Sequence, residues 1–262
     1  MKKTDACSFG KISYKNFNIL VYDSLESTNK TAKELAVLGD REGTIVVALS
    51  QTKGRGRGER SFYSPKESGI YFSIILRPDF PPKNLMLITP AAAVAVCRVV
   101  EKLSNKKPFI KWVNDVFVDG KKVCGILTES VFSKSGAVDF TVLGIGINLF
   151  IPEDGFPTEI KDIAGGIFEN GITDFREQMV KEILDDFFDI YSNILSLEFV
   201  KEYKAKQILM GREITFIKSG ENIKARVVDL TESCGLVVEK EDGEREVLST
   251  GEVTIGSGSF TE

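Results

Sequence analysis

Thr44-Ile-Val-Val-Ala-Leu49, followed by Gln51-Thr-Lys-Gly-Arg-Gly-Arg-Gly-Glu-Arg60, is the stretch that decides the interpretation of this chain. The first run is rich in β-branched and apolar residues and predicts a buried strand. The second contains four cations, one anion and three glycines between Lys53 and Arg60. Glycine lets backbone amides approach a ligand closely, and arginine forks match carboxylates and phosphates. An ordered loop of this kind can hold two anionic groups together despite their repulsion. The alternative is a disordered Arg/Gly segment that binds RNA nonspecifically.

Two segments further along the chain offer charged groups for the same site. Lys111-Trp-Val-Asn-Asp115 places a lysine, an amide and a carboxylate beside the only tryptophan. Asp115 is the candidate Mg²⁺ ligand, and Asn114 can orient nucleotide or metal. Lys122 precedes an apolar strand, on which its stem can pack while the ammonium reaches over a pocket. Taken alone, these segments also fit a strand-end turn and a solvent-exposed turn lysine.

The segment Gly144-Ile-Gly-Ile-Asn148 has glycines at alternate positions of a predicted strand. Alternate residues of a strand share one face, so Gly144 and Gly146 expose a bare face on which a flat ligand can lie. Asn148 at the strand end can bind nucleotide or complete a metal shell. A simple glycine kink is the alternative interpretation.

Composition excludes several kinds of chemistry. The 262 residues contain no histidine, which removes Ser-His-Asp triads and imidazole metal sites. The four cysteines are scattered without a CxxC pair, which favours reduced thiols over disulfides or zinc. A net charge of −4 argues against a generally basic nucleic-acid surface. No apolar run is long enough for a membrane helix or follows the basic start as in a signal peptide, so a cytoplasmic location is expected.

Periodicity predicts strands and helices in alternation up to about Gly211, where the sequence pattern changes. The last segment consists of short strand-like runs separated by Ser-Gly, Ser-Cys-Gly and Asp-Gly turns, which is typical of a small β-barrel. A capping box at Asp174 and Glu177 is expected to start an amphipathic helix. The predicted strands are 17–22, 44–49, 70–76, 109–113, 123–131, 138–149, 213–217, 225–229, 235–239 and 246–248, and the predicted helices are 30–38, 85–103 and one from 174 onward.

In this order and spacing, the segments resemble the biotin–protein ligase family. The resemblance runs from about residue 20 to residue 255 and specifically suggests a short form without an N-terminal DNA-binding domain. The matching motifs are Ser27-Thr28-Asn29, Gln51 with Gly54-Arg-Gly-Arg57 and Arg60, Ser64-Pro65, Arg77-Pro78, Lys111-Trp112 with Asn114-Asp115, Lys122 with Gly125-Ile-Leu127, Gly144–Asn148 and Gly251–Ile255.

The resemblance implies an α+β fold. A catalytic domain at residues 1–208 would have a mixed central sheet with flanking helices, as in class II synthetases. A small SH3-like β-barrel would follow at residues 209–262. The implied activity is formation of biotinyl-5′-AMP from biotin and ATP with Mg²⁺, then transfer of biotin to a lysine of a biotin carboxyl carrier protein.

The resemblance also implies residue roles. Lys122 and Arg57 are the expected catalytic residues, and Asp115 the expected metal ligand. The expected biotin site comprises Ser27, Thr28, Asn29, Gln51, Gly54, Arg55, Gly56, Arg57, Lys122, Gly125, Leu127, Gly144 and Gly146. The expected ATP site comprises Arg57, Arg60, Phe62, Lys111, Asn114, Lys122 and Asn148.

Three positions depart from the usual family pattern. Glu59 stands where glycine is usual before the last arginine of the loop, so it either weakens ATP binding or points to solvent. Phe62 replaces the common tryptophan and can still stack on adenine. Val113 replaces the common proline after Lys111-Trp112.

Three rival interpretations stay open at this point. A lipoate–protein ligase shares the fold and the adenylate chemistry, although the Gly-Arg-Gly-Arg loop favours biotin. An RNA-binding protein would use only the Arg/Gly loop. A bifunctional ligase–repressor would need a DNA-binding module, which the segment before residue 20 is too short to form. Family members occur as monomers and dimers, so a homodimer is allowed; no DNA or membrane partner is expected.

Overall fold

A seven-stranded mixed sheet forms the centre of the molecule. The computed structural model describes residues 14–15, 17–169, 175–218, 220–249 and 253–255. The strand order is β1-β2-β3-β7-β6-β5-β4; β1 and β2 are parallel and the other neighbours antiparallel. The strands are β1 (Asn18–Tyr22), β2 (Thr44–Ala48), β3 (Gly69–Leu76), β4 (Phe109–Lys111), β5 (Asp115–Val118), β6 (Lys121–Phe132) and β7 (Val138–Asn148).

Helices cover both faces of this sheet. The large core packs α2 and α3 against one face, and a smaller cluster packs α1 against the other. On α3, Met179, Ile183 and Phe187 recur every four residues and are fully buried, as the amphipathic pattern predicted. The helices are α1 (Thr28–Val37), α2 (Ile88–Ser104), α3 (Arg176–Ser192) and α4 (Glu198–Ala205), with 3₁₀ turns at Pro82–Leu87 and Ile194–Ser196.

A second, five-stranded antiparallel sheet follows in the chain. Its order is β11-β10-β9-β8-β12, formed by β8 (Glu213–Lys218), β9 (Glu221–Leu230), β10 (Leu236–Lys240), β11 (Arg245–Leu248) and β12 (Val253–Ile255). The predicted α+β class, a mixed central sheet followed by a smaller β unit, is confirmed. The exact division at residue 208 stays a prediction.

No side-chain hydrogen bond caps the N-terminus of α1 or of α3. Ser27 is the N-cap of α1, but its side chain makes no capping bond, and Thr28 and Asn29 are buried in the first turn. They turn toward the sheet because polar partners there satisfy them. Gly39 follows the C-terminal end of α1, with a φ of +96° that suits glycine. Asp174 of the expected capping box lies outside the described residues, and α3 begins after Phe175 without a side-chain cap.

The most apolar helical segment is a core element. Pro82–Ser104 is the one helical segment in the described ranges with the length and hydropathy to cross a membrane, and 67% of its most apolar window is buried within the fold. The sequence predicted one helix over 85–103. The structure instead has a 3₁₀ turn that leads into α2 at Ile88.

One buried hydrogen bond ties the two sheets together. The indole Nε1 of Trp112 donates to the backbone oxygen of Cys234 at 2.8 Å, and both residues are almost completely buried. Cys234 lies in the turn between β9 and β10 and adopts a φ of +62°. This bond holds the turn of the second sheet against the segment that carries Lys111, Asn114 and Asp115.

Replacing Trp112 with phenylalanine should therefore destabilise the protein. The phenyl ring retains most of the apolar contact but leaves the Cys234 carbonyl buried without its donor, a loss of about 1–3 kcal/mol. Urea-induced unfolding followed by circular dichroism measures it as a lower midpoint at constant slope. An unchanged midpoint would show that the interface does not depend on this bond.

Candidate active site

A cleft opens where the loop after β2 lies over the middle of the central sheet. The first turn of α1, residues 55–62, the segment 111–115 and strands β6 and β7 line it, together with Val253 of β12. Five cations and one carboxylate face the cleft, so its potential favours anionic ligands. These charged residues are Arg55, Arg57, Arg60, Lys111, Lys122 and Asp115.

Lys122 reaches the cleft from the start of β6. Its Nζ lies 2.7 Å from Oδ1 of Asp115, and both side chains are about a quarter exposed. The backbone of Lys122 is fixed by the segment after β7, because its N–H donates to Ile163 O at 2.7 Å and its carbonyl accepts from Gly165 N at 3.0 Å. The ammonium thus projects from a well-held backbone into the cation-lined part of the cleft.

Arg57 approaches the same place from the opposite wall. Its Nη1 donates to Oδ1 of Asn114 at 3.4 Å, and Nδ2 of Asn114 donates to Ile126 O at 3.0 Å. Asn114 precedes Asp115, so adjacent residues contact Arg57 and Lys122. The two predicted catalytic cations come from separate segments and meet through these neighbours.

The glycine-arginine loop, residues 53–62, folds back on itself. Phe62 N donates to Gly54 O at 2.9 Å and Gly56 N donates to Arg60 O at 2.8 Å. A turn closes with Arg60 N and Arg57 O at 3.2 Å, and Gly58 supplies the positive φ of +61° that its second position needs. Glu59 lies at the exposed tip of this turn. Of the two expectations for Glu59, its position fits the solvent-facing one.

A polar wall occupies the other end of the cleft. Thr28 donates through its N–H and its hydroxyl to Gln51 Oε1 at 2.8 and 3.1 Å, while Gln51 Nε2 donates to Ser64 Oγ at 2.8 Å. The hydroxyl of Ser73 lies 2.8 Å from Thr28 Oγ1 and 2.7 Å from Asn29 Oδ1 and can donate to one at a time. These amide and hydroxyl groups could exchange partners with a planar polar ligand.

The glycine face of the sheet is present, but the protein's own side chains cover it. A Cβ on Gly146 would lie 2.7 Å from the ring of Phe62, and one on Gly125 would lie 3.1 Å from it. A Cβ on Gly144 would lie 1.9 Å from Asn29 Oδ1. The face was expected to be bare. Instead it accommodates the Phe62 ring and the Asn29 carboxamide, so Phe62 forms part of the cleft floor.

Two expected site residues lie outside the cleft lining. Gly54, near the start of the glycine-arginine loop, is buried, and a Cβ on it would lie 2.3 Å from Phe62 O. Asn148 is 7% exposed at the end of β7, and its carbonyl accepts from Ile167 N at 3.2 Å. Neither residue faces the cleft in this structure. All the other expected residues face the cleft.

Several residues that line the cleft were given no role in the sequence analysis. Trp112, Ser61, Ile126, Ile145 and Val253 line the cleft. Ser73 supports it from β3, and its isolation within an apolar run was the available sequence signal. The contribution of Val253 depends on how the second sheet packs, which no local pattern reveals.

Two ionisable groups close to the site cannot act as bases near neutral pH. Burial raises the pKa of Tyr71 to about 12, although a hydrogen bond with Ser68 opposes this. Burial also raises the pKa of the Cys124 thiol well above its ordinary value. Cys97, Cys124 and Cys234 are free, buried thiols.

The residues of the cleft fit a metal ion that arrives with its ligand. Within the described ranges, no three His, Cys, Asp or Glu side chains cluster to hold a metal by themselves. Among the residues that the structure describes, Asp115 is the one carboxylate lining the cleft. Mg²⁺ commonly takes one or two protein carboxylates and completes its shell with phosphates and water. Asp115 fits that pattern as a single protein ligand, and its pairing with Lys122 would then loosen.

Comparison with known proteins identifies the family. Residues 21–148 match the Biotin/lipoate A/B protein ligase family, and residues 209–256 match the Biotin protein ligase C terminal domain. The Bifunctional ligase/repressor BirA of Bacillus spizizenii is 37% identical over 215 residues, which are 82% of this chain and 64% of that relative. The chain belongs to the biotin protein ligase family. It spans less than two thirds of the length of this relative.

Other members of the biotin protein ligase family match over more of their length. The Biotin--[acetyl-CoA-carboxylase] ligase of Mycobacterium tuberculosis is 27% identical over 87% of this chain and 85% of its own. A solved structure, biotin protein ligase from Aquifex aeolicus in complex with biotin and ATP, superimposes with a TM-score of 0.75 at 28% identity. That match covers 90% of this chain and 97% of the Aquifex chain. The predicted family and fold are therefore confirmed.

Proposed function

We propose that this biotin protein ligase activates biotin with ATP and transfers it to a lysine of a biotin carboxyl carrier domain. The observation that carries the proposal is the convergence of Arg57 and Lys122, from two separate segments, in one cation-lined cleft. Such a cleft can bring a carboxylate and a polyphosphate into contact by screening their mutual repulsion. The relative from Mycobacterium tuberculosis is named for the same acceptor class.

The first half-reaction joins the two anions. A carboxylate oxygen of biotin attacks the α-phosphorus of ATP, and the bond from that phosphorus to the bridging oxygen breaks, so that pyrophosphate leaves. Lys122 and Arg57 stabilise the charge on the α-phosphate, and the glycine-arginine loop holds both reactants in line. Asp115 would hold Mg²⁺ together with the nucleotide, and the ion would neutralise charge on the polyphosphate.

The second half-reaction transfers biotin. The neutral amine of the acceptor lysine attacks the carbonyl carbon of biotinyl-5′-AMP, the bond from carbon to the phosphate oxygen breaks, and AMP leaves. The amine loses its proton to solvent or to a nearby carboxylate, for which Asp115 is the candidate. The loop limits competing hydrolysis by excluding water from the anhydride.

The positions of the remaining site residues suggest the other contacts with the substrates. The polar wall of Ser27, Thr28, Asn29 and Gln51 would bind the ring of biotin. Arg60, Phe62, Lys111 and Asn114 would contact ATP, with Asn148 supporting them from behind. The proposal assigns a cytoplasmic location and no DNA partner, the latter because a net charge of −4 gives no generally basic surface.

Intact-mass analysis of an acceptor domain tests the proposal directly. The protein is incubated with biotin, MgATP and a biotin carboxyl carrier domain, and the acceptor should gain the mass of one biotinyl group. Replacing the acceptor lysine with arginine provides the control. Pyrophosphate exchange is measured in parallel with biotin and with lipoate. Exchange supported by lipoate but not by biotin would replace this proposal with a lipoate–protein ligase.

Replacing Asp115 with asparagine should raise the Mg²⁺ concentration needed for half-maximal adenylation, because the one cleft carboxylate is lost. A Mg²⁺ titration of pyrophosphate exchange measures the shift. Asp119→Asn is the matched control, since Asp119 is exposed and pairs with Lys106 at 3.0 Å. A titration identical to wild type would exclude Asp115 as a metal ligand.

A further inference from the structure

Glu129 is a carboxylate beside the cleft to which the proposed reaction assigns no role. It lies on β6, four residues beyond Gly125. Its Oε1 lies 3.0 Å from Nη1 of Arg55, and its Oε2 accepts from Asn29 Nδ2 at 2.9 Å. One side chain therefore links the glycine-arginine loop and the first turn of α1 to the central sheet.

The loop has a second ion pair, which differs in its surroundings. At the start of the loop, Lys53 lies 3.4 Å from Glu26, and these side chains are 76% and 42% exposed. The Glu129 side chain is only 23% exposed, and its distance to Arg55 is shorter. Screening by water weakens an exposed pair far more than a partly buried one. Glu129 is therefore a stronger anchor for the loop than Glu26.

We propose that Glu129 is a positioning residue that holds the glycine-arginine loop closed over the cleft through Arg55. The proposal rests on the proposed role of that loop in biotin binding. Arg55 then acts mainly by fixing the loop, and Arg57 and Lys122 bind the substrate anions. Because Asn29 shares the carboxylate, the loop and the polar wall keep a fixed relation to each other.

Limited trypsin digestion without ligand measures directly how often the loop opens, since Arg57 and Arg60 are cleavage sites. Glu129→Gln keeps an acceptor for Asn29 but removes the charge that holds Arg55. We expect cleavage after Arg57 and Arg60 to accelerate about fivefold, which is the upper end of the effect of losing an ion pair near the protein surface. Arg55→Gln should accelerate the same cuts, and the double variant should be no faster than either single variant.

Glu26→Gln is the matched control, because it removes the exposed pair at the same loop, together with the pair that Glu26 makes with Lys30 of α1. Its cleavage rates should stay at the wild-type level, and all variants should keep their melting temperatures. Equal acceleration in Glu26→Gln and Glu129→Gln would overturn the proposal. So would additive effects of Glu129→Gln and Arg55→Gln, which would show two independent contacts.

Biotin binding and turnover distinguish positioning from general structural support. Glu129→Gln should raise the dissociation constant for biotin and KM for biotin by about fivefold, with kcat changed less. A fall in kcat alone would contradict the assigned role. Failure of wild-type protein to bind biotin would refute the proposed function, while the trypsin result would still decide whether Glu129 holds the loop.

Discussion

Replacing Lys122 with alanine should lower the rate of biotin-dependent pyrophosphate exchange by about 10²- to 10³-fold, the usual loss when one charge-stabilising donor is removed. The ammonium lies in the cation-lined part of the cleft, and backbone bonds to Ile163 and Gly165 fix the Lys122 backbone. In the proposed reaction its charge acts where the α-phosphate gains charge, so the loss should fall mainly on kcat.

The variant also leaves Asp115 without its partner, so stability needs a separate measurement. Lys122→Ala/Asp115→Asn removes both charges of the pair and should recover any lost stability but not the exchange rate. If the double variant regained activity, the effect of Lys122 would be traced to an unpaired Asp115.

The neighbouring lysine supplies a matched control. Lys121 donates to Asp162 O at 2.7 Å, outside the cleft lining. Lys121→Ala removes the same charge one residue away and should keep exchange within a few-fold of wild type. Equal losses in the two variants would show that general electrostatics, not the position of Lys122, governs the reaction.

The sequence was most informative where one segment carried its own signal. Runs of β-branched residues located β2, β3, β6 and β7, and a four-residue apolar repeat located α3. The glycine-arginine loop was predicted to be an ordered ligand loop, and its backbone bonds agree with order. These features depend on residues close in the chain, so local patterns suffice.

Features that depend on distant contacts were missed. The short strand β5 and helix α4 carry weak local patterns, and pairing and packing with distant segments stabilise them. The Arg55–Glu129 pair joins residues 74 apart, and the Trp112–Cys234 bond joins residues 122 apart. The sequence predicted that Gly144 and Gly146 share one face of a strand, but the side chains that cover this face come from other segments.

The second large effect concerns the glycine row, which consists of Gly125 on β6 and of Gly144 and Gly146 on β7. Replacing each of these glycines in turn with alanine tests it. A Cβ would lie 3.1 Å from the nearest atom at Gly125, 2.7 Å at Gly146 and 1.9 Å at Gly144. We therefore expect Gly125→Ala to be mild, Gly146→Ala intermediate and Gly144→Ala severe. Overpacking of this kind costs roughly 1–3 kcal/mol of unfolding free energy. Urea unfolding measures the loss of stability, and calorimetric titration with biotin measures the loss of binding affinity.

The neighbours explain why Gly144 should be the most sensitive. The Phe62 ring that faces Gly125 and Gly146 belongs to a loop and can shift. Asn29, which faces Gly144, is held by Ser73, by Leu127 O and by Glu129. A methyl group at residue 144 must therefore break the polar wall, so biotin affinity should be lost together with stability.

A second substitution separates steric displacement from loss of the glycine itself. Gly146→Ala/Phe62→Leu removes the ring that the new methyl group would meet, and stability should return toward the wild-type value. No replacement of Asn29 should restore binding to Gly144→Ala, because Asn29 belongs to the binding wall. If all three glycine variants bound biotin equally well, the row would serve only sheet packing, and biotin would have to bind elsewhere in the cleft.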